Sequence, residues 1–414
     1  MSDSARKTAF LTLQRIEKGG AFSNLALAKL RGLPEKDASF ATTLVLGVTE
    51  RKRTLDFFVG RYAARTPEQA ILQLLRLGAY QIMYMDRVPD SAACDQTVAL
   101  AKELFDAKRA GFVNAVLRSL CREKSVAEHA LEKQPAAIRY SVGDGILSLL
   151  QAQYPDVWEE ILASFSVRQP LRLRVNTLKA APEELAERFQ AEQDGDMLTV
   201  TSPEMQAQAV RGAESGEYLI QGYGSQMAVR MLGAKPGETV FDVCACPGGK
   251  TLGAALDMEN RGHIRSTDLH ENKFSLLHKS AERLGITIIE TAACDAREAE
   301  PTLKNKADRV LCDVPCSGLG TIAAKPEIRY KDPASFDGLL DTQKRILDAS
   351  ATYVRSGGVL LYSTCTLNRA ENSEQVQAFL QTHPAFTLEE EHTYFPFEAA
   401  GEGFYAAKLR KDHT

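Results

Sequence analysis

Apolar residues in the first third of the chain recur at steps of three and four. Ala9, Phe10, Leu13 and Ile16 form one stripe within Ala5–Lys18. Ile71, Leu72, Leu75, Ala79, Ile82 and Met83 form a second within Ala70–Met85, and Phe112, Val113, Val116, Leu117 and Leu120 a third within Gly111–Cys121. That spacing turns one side of each segment toward a core and predicts helices. Gly and Pro interrupt the pattern at Gly19-Gly20, Gly32-Leu-Pro34, Arg65-Thr-Pro67 and Arg87-Val-Pro-Asp90, where breaks are expected. Residues 1–140 therefore read as an all-α bundle.

The period then shortens. Leu171-Arg-Leu-Arg-Val-Asn176 alternates apolar and polar, as a half-buried strand does. A helical pattern at Pro182–Gln190 and short strands at Met197–Thr201 and Glu217–Ile220 complete a small α+β unit over residues 141–235. Arg172 and Arg174 share one side of the first strand, facing either solvent or nucleic acid. Beyond 236, strand patterns at Thr239–Val243, Gly262–Thr267, Ile286–Glu290, Arg309–Val314 and Gly357–Tyr362 alternate with helical ones at Thr251–Met258, Asn272–Leu284, Asp337–Tyr353 and Glu371–Thr382. Phe404-Tyr-Ala-Ala-Lys-Leu409 offers a last strand. Such alternation predicts a doubly wound, Rossmann-like parallel sheet over 236–414, with ligands beyond the carboxyl ends of its strands.

Composition agrees with several domains: 414 residues, 44% hydrophobic and 25% charged, exceed one core of ordinary size. No run is long enough to span a bilayer and the start lacks the apolar stretch of a signal peptide, so a cytoplasmic protein is expected. The net charge of −4 argues against a bulk polycation. Its distribution is uneven, with 22 Lys and Arg against 15 Asp and Glu in residues 1–140 and 28 against 39 thereafter. A grip on nucleic acid would thus be concentrated in the helical region. None of the eight cysteines forms a CxxC pair, so no metal site is expected.

Two strand ends carry thiols. Arg309-Val-Leu-Cys312 runs into Asp313-Val-Pro-Cys-Ser-Gly-Leu-Gly-Thr321, and Gly357-Gly-Val-Leu-Leu-Tyr362 into Ser363-Thr-Cys-Thr366. One isolated Cys is most simply a small buried hydrophobe. Matching loops on two strands instead place Cys316 and Cys365 about one reaction centre, with the Asp313 carboxylate beside them. Adjacent strands lie about 4.8 Å apart, so their loops can flank one base. The first strand of this region ends in Cys244-Ala-Cys-Pro-Gly-Gly-Lys250. GxGxxG is absent, and a phosphate-binding GxxxxGK[ST] loop would need Gly where Cys244 stands. What remains is a Gly-rich turn that lets a small nucleoside cofactor approach the backbone. Asp268, about twenty residues on, has the offset of a carboxylate that grips ribose hydroxyls, and Asp295 closes the next strand near an adenine edge. S-adenosylmethionine fits, having a nucleoside and no phosphate.

The residues also carry a resemblance. Gly47-Val-Thr-Glu-Arg-Lys-Arg-Thr-Leu-Asp56, Leu74-Leu-Arg-Leu-Gly-Ala-Tyr-Gln-Ile82 and Gly111-Phe-Val-Asn-Ala-Val-Leu-Arg118 resemble the helical RNA-binding fold of the antitermination factor NusB. The 244–250 turn, the 313–320 loop, Lys325-Pro-Glu-Ile-Arg329 and Ser363–Thr366 are similar to the RNA 5-methylcytosine methyltransferases of the Nol1/Nop2/Sun family. The likeness covers essentially the whole chain. It implies methyl transfer from S-adenosylmethionine, leaving S-adenosylhomocysteine, to C5 of a cytosine in 16S ribosomal RNA (cytosine-967). It further implies Cys365 as nucleophile, Cys316 in product release, Asp313 steadying the ring and touching cofactor, and Cys244, Ala245, Cys246, Pro247, Gly248, Gly249, Lys250, Asp268 and Asp295 around the cofactor. Arg51, Lys52, Arg53, Lys325 and Arg329 are the expected RNA contacts, and a monomer is expected. The residues alone do not order the two thiols, since DNA cytosine methyltransferases place the nucleophile in a Pro-Cys loop, which would favour Cys316. Two rivals stand beside this reading: the same chemistry on tRNA or another rRNA cytosine, and a non-catalytic RNA-binding assembly factor with a relic cofactor fold.

Overall fold

The computed structural model describes residues 3–19, 30, 32–167 and 169–413. Helix Gln69–Tyr84 lies at the centre of the first unit. Its periodicity predicts one apolar stripe, yet Gln73, Leu74, Arg76, Leu77 and Gly78 are buried as well. Helices Asp3–Gly19, Glu35–Glu50, Lys52–Tyr62, Asp90–Leu104 and Ala107–Arg122 pack around it. The packing demands small residues: a Cβ on Gly47 would lie 1.9 Å from the Tyr80 ring, and one on Gly78 2.6 Å from a Leu117 methyl. Arg76 is tolerated inside because Asp56 accepts from its Nε and Nη2 at 2.6 and 2.8 Å; a buried charge needs such a partner. The helices stop at the expected Pro-containing sites before Gln69 and Asp90. Gly20 of the expected Gly19-Gly20 break lies outside the described residues.

This unit extends past 140. It comprises Met1–Ala152 together with Ala324–Pro333. The second stretch is hydrogen-bonded into it. Gly143 N donates to Arg329 O at 2.8 Å, the Tyr330 hydroxyl donates to Glu50 O at 2.9 Å, and Arg329 Nη1 donates to Tyr140 O at 3.1 Å. No periodicity marks so short a segment as part of a helical unit far away in sequence.

The second unit, Gln153–Ala323 with Ala334–Thr414, holds two sheets. The smaller is antiparallel, built from β1 (Leu171–Val175), β2 (Glu192–Asp194), β3 (Met197–Val200) and β4 (Tyr218–Ile220) in the order β2-β3-β1-β4. Leu173, Val175, Leu198, Val200 and Tyr218 face helices Pro182–Phe189 and Pro203–Gly212 in its core. Arg174 is buried between Asp196 and Asp257, and Arg172 is half-buried over the Tyr223 ring, so neither stands free on the sheet surface.

The larger sheet contains β5 (Thr239–Asp242), β6 (His263–Asp268), β7 (Ile289–Ala293), β8 (Ala307–Asp313), β9 (Val354–Thr364), β10 (Phe386–Tyr394) and β11 (Phe404–Lys411). Its order is β10-β11-β9-β8-β5-β6-β7, with β5 to β9 parallel and β11 and β10 antiparallel at one edge. β5 and β8 flank the point where the strand order reverses, which is where open α/β sheets hold ligands. β10 is absent from the expected strands because its middle, Thr387–His392, is exposed throughout and shows no apolar alternation. β7 begins at Ile289, later than the expected Ile286. Among the described residues no helix is long and apolar enough to cross a membrane.

Candidate active site

Three chain reversals meet at the carboxyl ends of β5, β8 and β9. After β5 the chain turns through Val243–Gly248 into helix Gly249–Asp257. Gly248 has φ +110° and a Cβ there would fall 2.4 Å from Leu277 Cδ1, so the turn admits only glycine. Ala245 N donates to Thr267 O at 2.9 Å and Cys246 N to Asp268 Oδ2 at 3.2 Å, fastening the turn to β6. Burial pushes the Cys244 thiol well up and Cys246 up to about 11, so these sulfurs line the turn as neutral groups.

Asp268 also accepts from His270 N at 3.1 Å and Lys273 Nζ at 3.3 Å. Asp295, beyond β7, is clasped by its neighbour Arg297, whose hydrogen bonds hold the carboxyl down to about 2. Beside the turn, Gln221 Nε2 donates to Gly249 O at 2.9 Å, while its Oε1 is buried and has no hydrogen-bond partner among the described residues. Asp268, Asp295 and Asp313 thus close three strands with acceptors, and Gln221 adds an unused one. This set of acceptors repels phosphate and suits hydroxyls, an amine and an ammonium. These residue types are of the kind that S-adenosylmethionine, with its hydroxyls, amines and positive charge and no phosphate, would need.

Asp242, at the end of β5, is 2% exposed and accepts from Thr251 Oγ1 at 2.6 Å. Burial pushes its carboxyl up to about 7. The folded chain then keeps a proton that the unfolded chain loses near pH 4, so this group's contribution to stability falls as pH rises from about 4 to about 7. Asp242→Asn retains an acceptor for Thr251 and removes the titration. In thermal unfolding of the cofactor-free protein, the variant's Tm relative to wild type is expected to rise by several degrees from about pH 5 to about pH 8. A flat difference across that range would contradict the burial argument.

β8 and β9 are parallel neighbours with Asp313 opposite Ser363. Ser363 Oγ donates to Asp313 Oδ1 at 2.7 Å, and Lys250 Nζ reaches Oδ2 at 2.7 Å. Burial opposes the Lys250 charge, but the Asp313 carboxylate outweighs it and holds the ammonium's pKa above its usual value. The loops after the two strands are joined by Gly320 N donating to Cys365 O at 3.0 Å, and a Cβ on Gly320 would strike Gly403 O at 1.7 Å. Cys316 Sγ and Cys365 Sγ consequently stand 3.2 Å apart. The contact with Cys365, followed by burial, pushes the Cys316 thiol well above its ordinary range.

The structure brings Cys316, Cys365, Asp313 and Lys250 together and ranges Cys244–Gly249 and Asp268 along the adjoining strand ends. Sequence reasoning placed Lys250 in the cofactor turn and missed its pairing with Asp313. It also read Glu371 as a helix start, whereas Glu371 is fully buried beneath both cysteine loops. The expected RNA contacts fare differently. Arg51 pairs with Glu50 and lies over Tyr84, Lys52 bonds Glu17 at 2.9 Å, and Arg53 bonds Asp144 and Val142 O at 2.8 and 2.9 Å. All three are half-buried, as is Lys325. Arg329 is a correction. At 1% exposure, bonded to Tyr140 O and 3.6 Å from Glu50, it is an interior cation of the helical unit and presents no face to RNA.

Residues 229–410 match the family described as 16S rRNA methyltransferase RsmB/F, residues 3–122 the NusB family, and residues 146–210 the RsmF/B-like ferredoxin-like domain. A probable ribosomal RNA small subunit methyltransferase B of Bacillus subtilis (strain 168) is 36% identical over 403 residues, covering 92% of this chain and 89% of that one. The chain belongs to the RsmB/F family of 16S rRNA methyltransferases. A Synechocystis protein, also described as a probable ribosomal RNA small subunit methyltransferase B, is 33% identical over 99% of both chains. The solved structure of PH0851 shares the fold across 99% of both chains at TM-score 0.78 and 23% identity. NSun6 from Pyrococcus horikoshii, solved with SFG, shares it over 65% of this chain and 98% of that one at TM-score 0.56 and 20% identity. As an RsmB/F enzyme the protein is an S-adenosylmethionine-dependent rRNA methyltransferase, with a NusB-like helical domain, a ferredoxin-like domain and a Rossmann-like catalytic sheet.

Proposed function

We propose that this enzyme methylates C5 of one cytosine in 16S rRNA, cytosine-967 by the family resemblance, through a transient bond from Cys365 to C6 of the base. The observation that carries the reading is the pair of thiols 3.2 Å apart next to the Lys250–Asp313 ion pair. C5 of cytosine is too weakly nucleophilic to take a methyl group unaided, and adding a thiolate to C6 overcomes this.

The Cys365 sulfur forms a bond to C6 as the C5–C6 π electrons move toward N3, where the Asp313–Lys250 pair supplies a proton or hydrogen bond. S-adenosylmethionine, when bound, supplies an electrophilic methyl group. C5 bonds to that carbon as the carbon's bond to the sulfonium sulfur breaks, that electron pair leaving with S-adenosylhomocysteine, and C5 then releases its proton to solvent. The double bond reforms, N3 returns its proton, and the S–C6 electron pair goes back to Cys365. Cys316, kept protonated by its surroundings, donates a hydrogen bond to the Cys365 sulfur as that sulfur attacks and departs. Arg51, Lys52, Arg53 and Lys325 are proposed to meet RNA phosphate, giving binding that weakens with salt.

The test is transfer from methyl-labelled S-adenosylmethionine to unmodified 16S rRNA, followed by digestion to nucleosides and mapping. Label confined to 5-methylcytidine at one position is expected. Label in another nucleoside, or RNA binding without any label, would overturn the proposal.

A further inference from the structure

Glu371 is 0% exposed, and all the groups that meet its carboxyl oxygens donate. Ser317 N donates to Oε2 at 2.8 Å, Ser317 Oγ to Oε1 at 2.5 Å, Gln343 Nε2 to Oε2 at 2.9 Å and Asn368 Nδ2 to Oε1 at 3.0 Å. A group ringed by donors acts as an acceptor. These partners come from three places. Ser317 follows Cys316, Asn368 follows Cys365, and Gln343 sits in helix Asp337–Tyr353, also donating to Pro315 O at 3.0 Å. Ser317 Oγ meets Thr366 Oγ1 at 2.7 Å, tying the loops to each other as well. A buried carboxylate is costly unless fully satisfied, and a helix start would be served equally well by an exposed one.

The field across the sulfur pair is uneven. Lys250 pairs with Asp313 at 2.7 Å, and Asp242 adds a further carboxyl near that pair. The buried Tyr362 hydroxyl donates to Glu371 O at 2.7 Å. The Glu371 and Asp313 charges both act on Cys316, and the Lys250 ammonium acts on Cys365.

We infer that Glu371 is a positioning residue that holds the two cysteine loops in register and keeps the shared proton on Cys316, leaving the thiolate on Cys365. When the pair loses one proton to solvent, the remaining S–H is then on Cys316 and donates to the Cys365 sulfur. This rests on the dithiol reading above and supplies the ordering of the two thiols that the residues alone do not.

The experiment uses the full chain without RNA or cofactor, so it is independent of whether 16S rRNA is methylated. Limiting iodoacetamide is added at several pH values, and label on the Cys316 and Cys365 peptides is measured by mass spectrometry. In wild type, label chiefly on Cys365 near neutral pH is expected. Glu371→Gln keeps the side chain's size while removing its charge, and it should raise the Cys316-to-Cys365 label ratio by about fivefold or more, since a shift of one pKa unit moves a proton equilibrium about tenfold. An unchanged ratio in a folded Glu371→Gln protein would overturn the inference. So would label chiefly on Cys316 in wild type, a result that decides the matter even if the variant fails to fold. Failure of methyl transfer with the expected labelling would instead count against the proposed reaction alone.

Discussion

Cys365→Ala is expected to lose methyl transfer by roughly 10⁴-fold or more, the scale seen when an enzyme acting through a nucleophile loses it, and to show no covalent RNA complex on a denaturing gel. Cys316→Ala is expected to be comparably inactive at turnover for the opposite reason. Its Cys365 still attacks C6, but without the neighbouring thiol 3.2 Å away the departing sulfur lacks its hydrogen-bond donor, and the adduct accumulates. The double variant should show neither turnover nor adduct, because trapping requires the bond to form first. These outcomes follow from chemistry rather than folding. Each thiol is half-buried in a loop whose backbone bonds, such as Gly320 N to Cys365 O, do not involve sulfur. If Cys316→Ala abolishes the adduct and Cys365→Ala accumulates it, the roles are exchanged. That would also conflict with the geometry of Glu371, whose bonds converge on the residue after Cys316.

The cysteine loops and the cofactor turn are legible in the sequence because each is local. A short apolar run marks a buried strand, and a Pro or Gly immediately after it marks where the backbone leaves the sheet. Chemistry-bearing residues at that spot, such as Asp313 or Asp268, need no knowledge of the rest of the fold to be suspected. Lys250 is different. Its partner Asp313 is 63 residues away, and only the adjacency of β5 and β8 brings them to 2.7 Å. Glu371 is hidden for a related reason. Its local context explains it as a helix start, and its satisfaction by Ser317, Gln343 and Asn368 depends on three separate segments. Arg329 misleads because a cation in a loop next to a catalytic motif is read as solvent-facing. Nothing nearby in sequence announces that Tyr140 and Glu50 enclose it. Residue types and strand ends are thus recoverable from one chain, whereas pairings across the fold are not.

The Lys250–Asp313 pair gives the second large effect. Lys250→Met should lower kcat by about 10²- to 10³-fold, the range for losing a positioned proton donor or a preorganised charge, and Asp313→Asn should do the same. The ammonium and carboxylate meet at 2.7 Å with side chains only 13% and 26% exposed, and Ser363 Oγ orients the other carboxylate oxygen. They therefore act as one unit on the ring. Removing both should cost little more activity than removing either, giving strong non-additivity in a double-mutant cycle. Stability should follow a different pattern from activity. Each single substitution leaves a partly buried charge without its partner and is expected to cost about 3 kcal/mol, whereas the double variant removes both charges and should recover much of that loss. Thermal unfolding alongside turnover separates the two effects. A double variant that is as inactive as the singles yet more stable than either would establish the pair as catalytic machinery. Activity losses that simply add would mean that Lys250 serves the cofactor turn and Asp313 the base independently.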